Sequence, residues 1–323
     1  MAKIEKFGRI SDRSPHVIAD LFEIMALVEG QEKSRGDVET SLDQQADDGL
    51  ADDLDEDLAP GASSAEVNAT YQALTENVFD HFKYRKSVFG EWYPFNVDAD
   101  VLTPVVPLTD RMKIYIFFLF CSRLAMLSKS DRSRYASHFE KVCVEAIKGL
   151  FPTWDIYHFG AGGMNRAQFG NKLKDALSVL SGHLKDSLVV HHHNAISNHD
   201  VGDAGIDIIA VHNFGDAATG VVTYFIQCAA RQDGWPDKRF EVSNASLSTY
   251  FHFECPPGAM LLIPLLYRNP DGKWVDARKP YSVAVLDRLR LTQLIERRQS
   301  AAAITAALAH VPVDAFSAHT SPD

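Results

Sequence analysis

The 323-residue sequence contains no apolar run that could cross a bilayer, which takes roughly 20 residues. Its most apolar stretch, Ile114 to Leu127, is interrupted by Ser122 and Arg123, so no membrane span is expected. Cysteine is scarce: the four at 121, 143, 228 and 255 form no C-x-x-C pair, which leaves no zinc knuckle or disulfide framework and reads as small buried thiols. The N-terminus lacks a continuous apolar stretch before Pro15, unlike a secretory signal, and a cytoplasmic location is expected. Gly160-Ala161-Gly162-Gly163 is followed by no Gly-Lys-Ser/Thr and preceded by no evident strand, so it is read as a connector between helices and not a phosphate loop.

Lysine and arginine are absent between Asp37 and Asp57, where ten acids cluster and account for all but one of the net charge of −11. The rest of the chain is therefore close to neutral, and net charge does not exclude a polyanionic partner. Residues 31 to 62 are too polar to offset their ordering entropy by burial, and a flexible acidic loop is expected there. Such a tethered polyanion could compete with nucleic acid for a basic groove.

What is present is a change of period. Ser14-Pro15 opens a helix that stops near Gly30. Further helices are expected over about 64 to 84, from Thr109 to Leu127 and from Ser130 to about Leu150. Phe169, Leu173, Leu177, Leu180 and Leu184 continue the helical spacing. After that, Ile206 to Val211 and Val221 to Ala230 are apolar or β-branched runs around the turn Asn213-Phe214-Gly215-Asp216, which predicts a hairpin. Short strands at 259–265 and 282–286 and helices at 289–298 and 300–310 complete the pattern. We divide the chain into a mainly helical region over 1–128 and a mixed helix-and-strand domain over 129–323.

Cleaving a phosphodiester calls for a divalent cation held by oxygen ligands at one sheet edge. Asp207 on the first hairpin strand and Gln227 on the second can supply such oxygens, and a helix packed on the sheet can add Glu140, with Glu145 as its competitor. The order Phe139-Glu140, Gly205-Ile206-Asp207-Ile208-Ile209-Ala210, Phe225-Ile226-Gln227-Cys228 resembles the Mrr-type branch of the PD-(D/E)XK nuclease superfamily over roughly residues 135 to 245. The resemblance implies an α+β (α/β) fold, with a restriction-endonuclease-like mixed sheet flanked by helices. It also implies Mg2+ or Mn2+ held by Glu140, Asp207 and Gln227, and hydrolysis of DNA in bacterial antiviral defence alongside an ATPase or helicase. Homo-oligomers are compatible with it.

One departure stands out: Ala229 occupies the place of the branch's lysine. Either a cation from nearby replaces it, with Lys238 first and Arg231 second, or turnover is weak and the fold serves as a DNA-binding or structural subunit. In the structural-subunit reading, the apolar helix after Thr109 would be an interface. Arg231, Arg288 and Arg290 are candidate phosphate contacts, because guanidinium forks match phosphate oxygens. The run His191-His192-His193 is expected to be a polar loop, since neighbouring side chains on extended chain point apart and cannot share one ion.

Overall fold

The computed structural model describes residues 14–45, 64–161, 166–230, 234–298 and 301–315. They fall into two compact units, one drawn from the chain up to residue 129 with 266–275 and 313–315, the other from 130–265 and 276–312. Among the described residues no helix is long and apolar enough to cross a membrane.

The first unit contains α1 (Pro15–Glu29), β1 (Lys33–Ser34), α2 (Arg35–Gln45), α3 (Ser64–Phe89), β2 (Phe95–Asp98), β3 (Val101–Pro104) and α4 (Asp110–Cys121). Pro15 opens α1 and Gly30, in the left-handed region at φ 63°, closes it. Thr109 caps α4 by accepting from the Met112 amide, and every side chain from Ile114 to Cys121 is buried. That helix is core, not the exposed interface that the structural-subunit reading would place there. The acidic segment also departs from expectation. Lys33 and Ser34 pair with Leu102 and Val101, and residues 35–45 are helical because Val38 and Leu42, one turn apart, are both buried. Arg35 adds ion pairs to Asp100 and Glu76. Residues 46–62 of the expected loop lie outside the described residues.

A charged cluster sits in the core of this unit. The Arg85 guanidinium lies 2.8 Å from both Asp20 Oδ1 and Glu23 Oε1, and donates to the His16 carbonyl. Tyr93 and Tyr115 donate to the two Glu23 oxygens, and Ser122 donates to Asp20. Burial alone would push the Arg85 pKa down, but Glu23 and Asp20 outweigh it and hold the cation firmly charged.

The second unit carries α5 (Lys129–Leu150), β4 (Asp155–His158), α6 (Arg166–Phe169), α7 (Leu173–Leu184), β5 (Ser187–Leu188), α8 (Val190–Ala195), β6 (Ile208–His212), β7 (Val222–Cys228), α9 (Asn244–Leu247), β8 (Phe251–His252), β9 (Gly258–Leu262), β10 (Ala284–Leu286), α10 (Arg288–Arg297) and α11 (Ala301–Leu308). Its main sheet is mixed, in the order β10-β9-β7-β6-β4. Strands β4, β6 and β7 form an antiparallel meander, and β9 and β10 run parallel to β7. The expected hairpin is present with Ile208 opposite Ile226. The α7 stripe of Leu173, Ala176, Leu177, Leu180 and Leu184 is buried with Ile209, Val211 and Phe225. Each large side chain so removed from water contributes about 1.5–3 kcal/mol. Phe151, at the end of α5, meets Tyr224 at 5.2 Å between ring centroids. Because Tyr224 and Phe225 point to opposite faces of β7, helices cover both sides. The chain is thus a mixed α+β protein.

Strand β4 is the main element that the sequence reading missed. It precedes Gly160, so the glycine run is not a link between helices; its Gly162 and Gly163 lie outside the described residues. The histidine run is likewise a short helix, α8, and not an extended loop. His192 Nδ1 lies 2.6 Å from the Thr249 carbonyl, and His193 Nε2 lies 3.0 Å from Lys174 O and Ser178 Oγ, so the rings are spent on separate partners.

Candidate functional site

The apolar stripe of α5 buries Tyr135, Phe139, Val142, Cys143, Ala146 and Ile147. Glu140 follows Phe139 and so stands at the margin of that stripe, partly exposed. Cys143, one turn on, hydrogen-bonds the Cys228 thiol of β7, and burial pushes both thiols up. This packing brings the outer half of α5 to the end of the β4–β6–β7 meander.

Asp207 immediately precedes β6. Its amide donates to the Ile226 carbonyl, its own carbonyl accepts from the amides of Phe159 and Gly160, and its Oδ2 accepts from the Cys228 amide at 2.7 Å. The backbone on both sides therefore fixes the carboxylate. Glu140 Oε2 and Asp207 Oδ1 then converge on Gly160: a Cβ added there would lie 3.2 Å from the first and 3.3 Å from the second. Glycine at 160 lets both oxygens come close to the same stretch of backbone, where a side chain would be tight. Burial, and next the charge of Glu140, push the Asp207 pKa well above the ordinary carboxylate range.

His158, fully buried at the end of β4, places Nε2 2.9 Å from Glu140 Oε2. Nothing in the sequence reading singled it out. The run Asp155-Ile156-Tyr157-His158-Phe159, rich in β-formers and ending at a glycine turn, carried the signal for its strand. Asp203 completes the rim, accepting from the Ala161 and Gly205 amides through its two oxygens.

Gln227 follows Ile226 just as Asp207 precedes Ile208, so both flank the same strand pair. Only 6% of Gln227 is exposed, and its Oε1 accepts no hydrogen bond among the described residues. Leaving a buried amide oxygen unsatisfied costs about 1–3 kcal/mol. Two carboxylate oxygens beside the same glycine, and a buried amide oxygen without a partner on the adjoining strand, are oxygen donors of the kind that hard divalent cations take. Groups of three or more His, Cys, Asp or Glu arranged to hold a metal do not occur among the described residues.

Lys238 lies in the 3-10 turn Trp235–Phe240 and donates to Glu241 Oε1 at 2.6 Å. Its charge reaches Asp207 and opposes the upward shift there. Glu241 packs against Gly205, whose φ is +75° and where an added Cβ would lie only 2.8 Å from Glu241 Cβ, so no side chain fits. Lysine and carboxylate are thereby held against the Gly205-Ile206-Asp207 segment.

The remaining candidates separate. Glu145 is not a rival to Glu140: it is buried between Lys148 at 2.6 Å and Arg298 at 2.7 Å. Arg288 is fully buried and donates through Nε to the Pro264 carbonyl, so it is not a surface contact for phosphate. Arg290, partly buried, donates to the Val285 carbonyl. Both guanidiniums tie the start of α10 to the segments beside it. Arg231 lies outside the described residues. Comparison of the chain with protein-family models, with curated proteins and with solved structures finds no match.

Proposed function

We propose that the second unit is a metal-dependent phosphodiesterase acting on DNA, with Glu140, Asp207 and Gln227 as the cation ligands and Lys238 as the nearby cationic group. The observation that carries this reading is the approach of Glu140 Oε2 and Asp207 Oδ1 to the same glycine, Gly160. The mixed sheet, an antiparallel meander extended by parallel strands with helices on both faces, supports a restriction-endonuclease-like arrangement. A divalent cation there would polarise the phosphoryl group and lower the pKa of the attacking water. Asp207, fixed by the Cys228 amide, orients one ligand oxygen, and Glu140 supplies the second from the helix. The Gln227 amide oxygen, buried without a hydrogen-bond partner, would be available as a third ligand. Lys238, whose charge reaches Asp207, would stabilise negative charge developing on the phosphate if it exchanged Glu241 for the substrate.

Purified protein incubated with supercoiled plasmid should nick it with Mg2+ or Mn2+ and not with chelator. Failure to nick in either cation, with intact folding, would overturn the assignment as an enzyme. A second reading rests on Ala229 and on the occupied Lys238: with no lysine on the strand and the substitute paired to Glu241, the unit binds DNA without turnover. Plasmid binding without nicking selects that reading.

A further inference from the structure

We propose that His158 is a positioning residue that holds Glu140 in cation-binding geometry through its Nε2 hydrogen; the inference rests on the metal reading of the same site. Glu140 reaches the site on a long side chain from a partly exposed helix position, and its natural course is outward. Water would solvate it there, and in that position it would regain rotamer freedom. Asp207 makes the inward position worse still, because two carboxylates aimed at one point repel. Something must hold Glu140 in, and among the polar contacts described for its carboxylate the one at the shared oxygen is His158 Nε2 at 2.9 Å.

The geometry suits that task. His158 lies on a strand, paired with Ile208, and strand β4 leads directly to Gly160, which both carboxylate oxygens approach. One stretch of backbone therefore supplies both the donor and the glycine that admits the two oxygens. An ionised carboxylate only accepts hydrogen bonds, so Nε2 carries the hydrogen in this pairing. The role requires a neutral donor, not a charge. His158 touches neither the shared point nor, in the proposed arrangement, the cation; it acts through Glu140, as hydrogen-bonding partners behind metal ligands do.

The test is Mn2+ binding to the full chain, measured by calorimetry and by the paramagnetic signal of free Mn2+, for wild type, His158→Phe and His158→Gln. Phenylalanine keeps the ring volume and removes the donor; glutamine returns an N–H near the Nε2 position. Loss of such partners lowers metal affinity about 10- to 100-fold, and the phenylalanine variant should lose that much while the glutamine variant recovers most of it. Wild-type affinity in a folded phenylalanine variant would overturn the role. So would equal losses in both variants with matching losses of thermal stability, which mark a packing role only. As a measurement that needs no variant, nitrogen NMR of the wild-type ring should find the hydrogen on Nε2; finding it on Nδ1 alone rejects the proposal. If wild type binds no Mn2+, the metal reading falls and takes this inference with it. Binding by wild type with His158→Phe unaffected leaves the metal reading standing and removes only His158.

Discussion

Glu140 Oε2 and Asp207 Oδ1 approach one point beside Gly160, although 67 positions of sequence, from 140 to 207, separate the residues. Removing one charge from this pair should stabilise the protein while disabling it. Burial and Glu140 raise the Asp207 pKa, so the folded chain retains a proton that the unfolded chain releases near 3.8. Stability from that proton is complete in acid and is lost as pH rises through the folded value. Asp207→Asn stays neutral throughout. Its melting temperature should exceed that of wild type by a margin that widens as pH rises from about 4 towards the raised folded value, while cation-dependent nicking disappears. A constant margin would contradict the shift.

Gly160→Ala tests the approach of the two oxygens directly. The new methyl would stand 3.2 and 3.3 Å from the two oxygens, tighter than ordinary packing, and the far end of the longer Glu140 side chain can yield. We expect a folded protein with at least about tenfold weaker Mn2+ binding. Unchanged affinity by calorimetry would show that the glycine is not needed.

The two glutamates of α5 should behave oppositely. Glu145→Ala removes the partner of Lys148 and Arg298, both solvent-accessible, and should cost about 1 kcal/mol in denaturant unfolding. Glu140→Gln should cost little stability and remove nicking. Burial alone would raise the Glu145 pKa, but Lys148 and Arg298 outweigh it and hold the carboxylate low. Its contribution is therefore present above the unfolded carboxylate value and is lost as acid titrates through the lower folded value.

Lys238→Ala should reduce nicking at saturating cation about 100-fold or more, the scale of a lost charge-stabilising or proton-transfer group. Mn2+ affinity should change little, because Lys238 is paired with Glu241 and not with the ligands. Nicking at the wild-type rate removes Lys238 from the mechanism.

Acid sensitivity in the first unit should trace to His81. Burial, helped by Arg85 and His16, lowers its pKa to about 3. The unfolded ring binds a proton near 6.5 and the folded ring does not, so stability falls as pH drops from the first value towards the second. His81→Leu, if folded, should flatten the pH dependence of unfolding over that window; an unaltered slope would place the acid sensitivity elsewhere.

The sequence alone determined the elements whose apolar period is long and undisturbed. Pro15 and Gly30 bracket α1, Thr109 caps α4, the leucine stripe of α7 announces its buried face, and the β6–β7 hairpin follows from two β-branched runs around a turn. Local spacing suffices there because burial of one face rewards one register. It also put Asp207 and Gln227 on neighbouring strand ends. Only the tertiary structure decided between Glu140 and Glu145, because five residues of helix separate them and the choice depends on what each meets: Asp207 and His158 for one, Arg298 for the other. It likewise withdrew Arg288 into the interior, revealed β4 and turned the histidine run into a helix. Those outcomes depend on partners distant in sequence, and a charge pattern carries no information about which partner will be close.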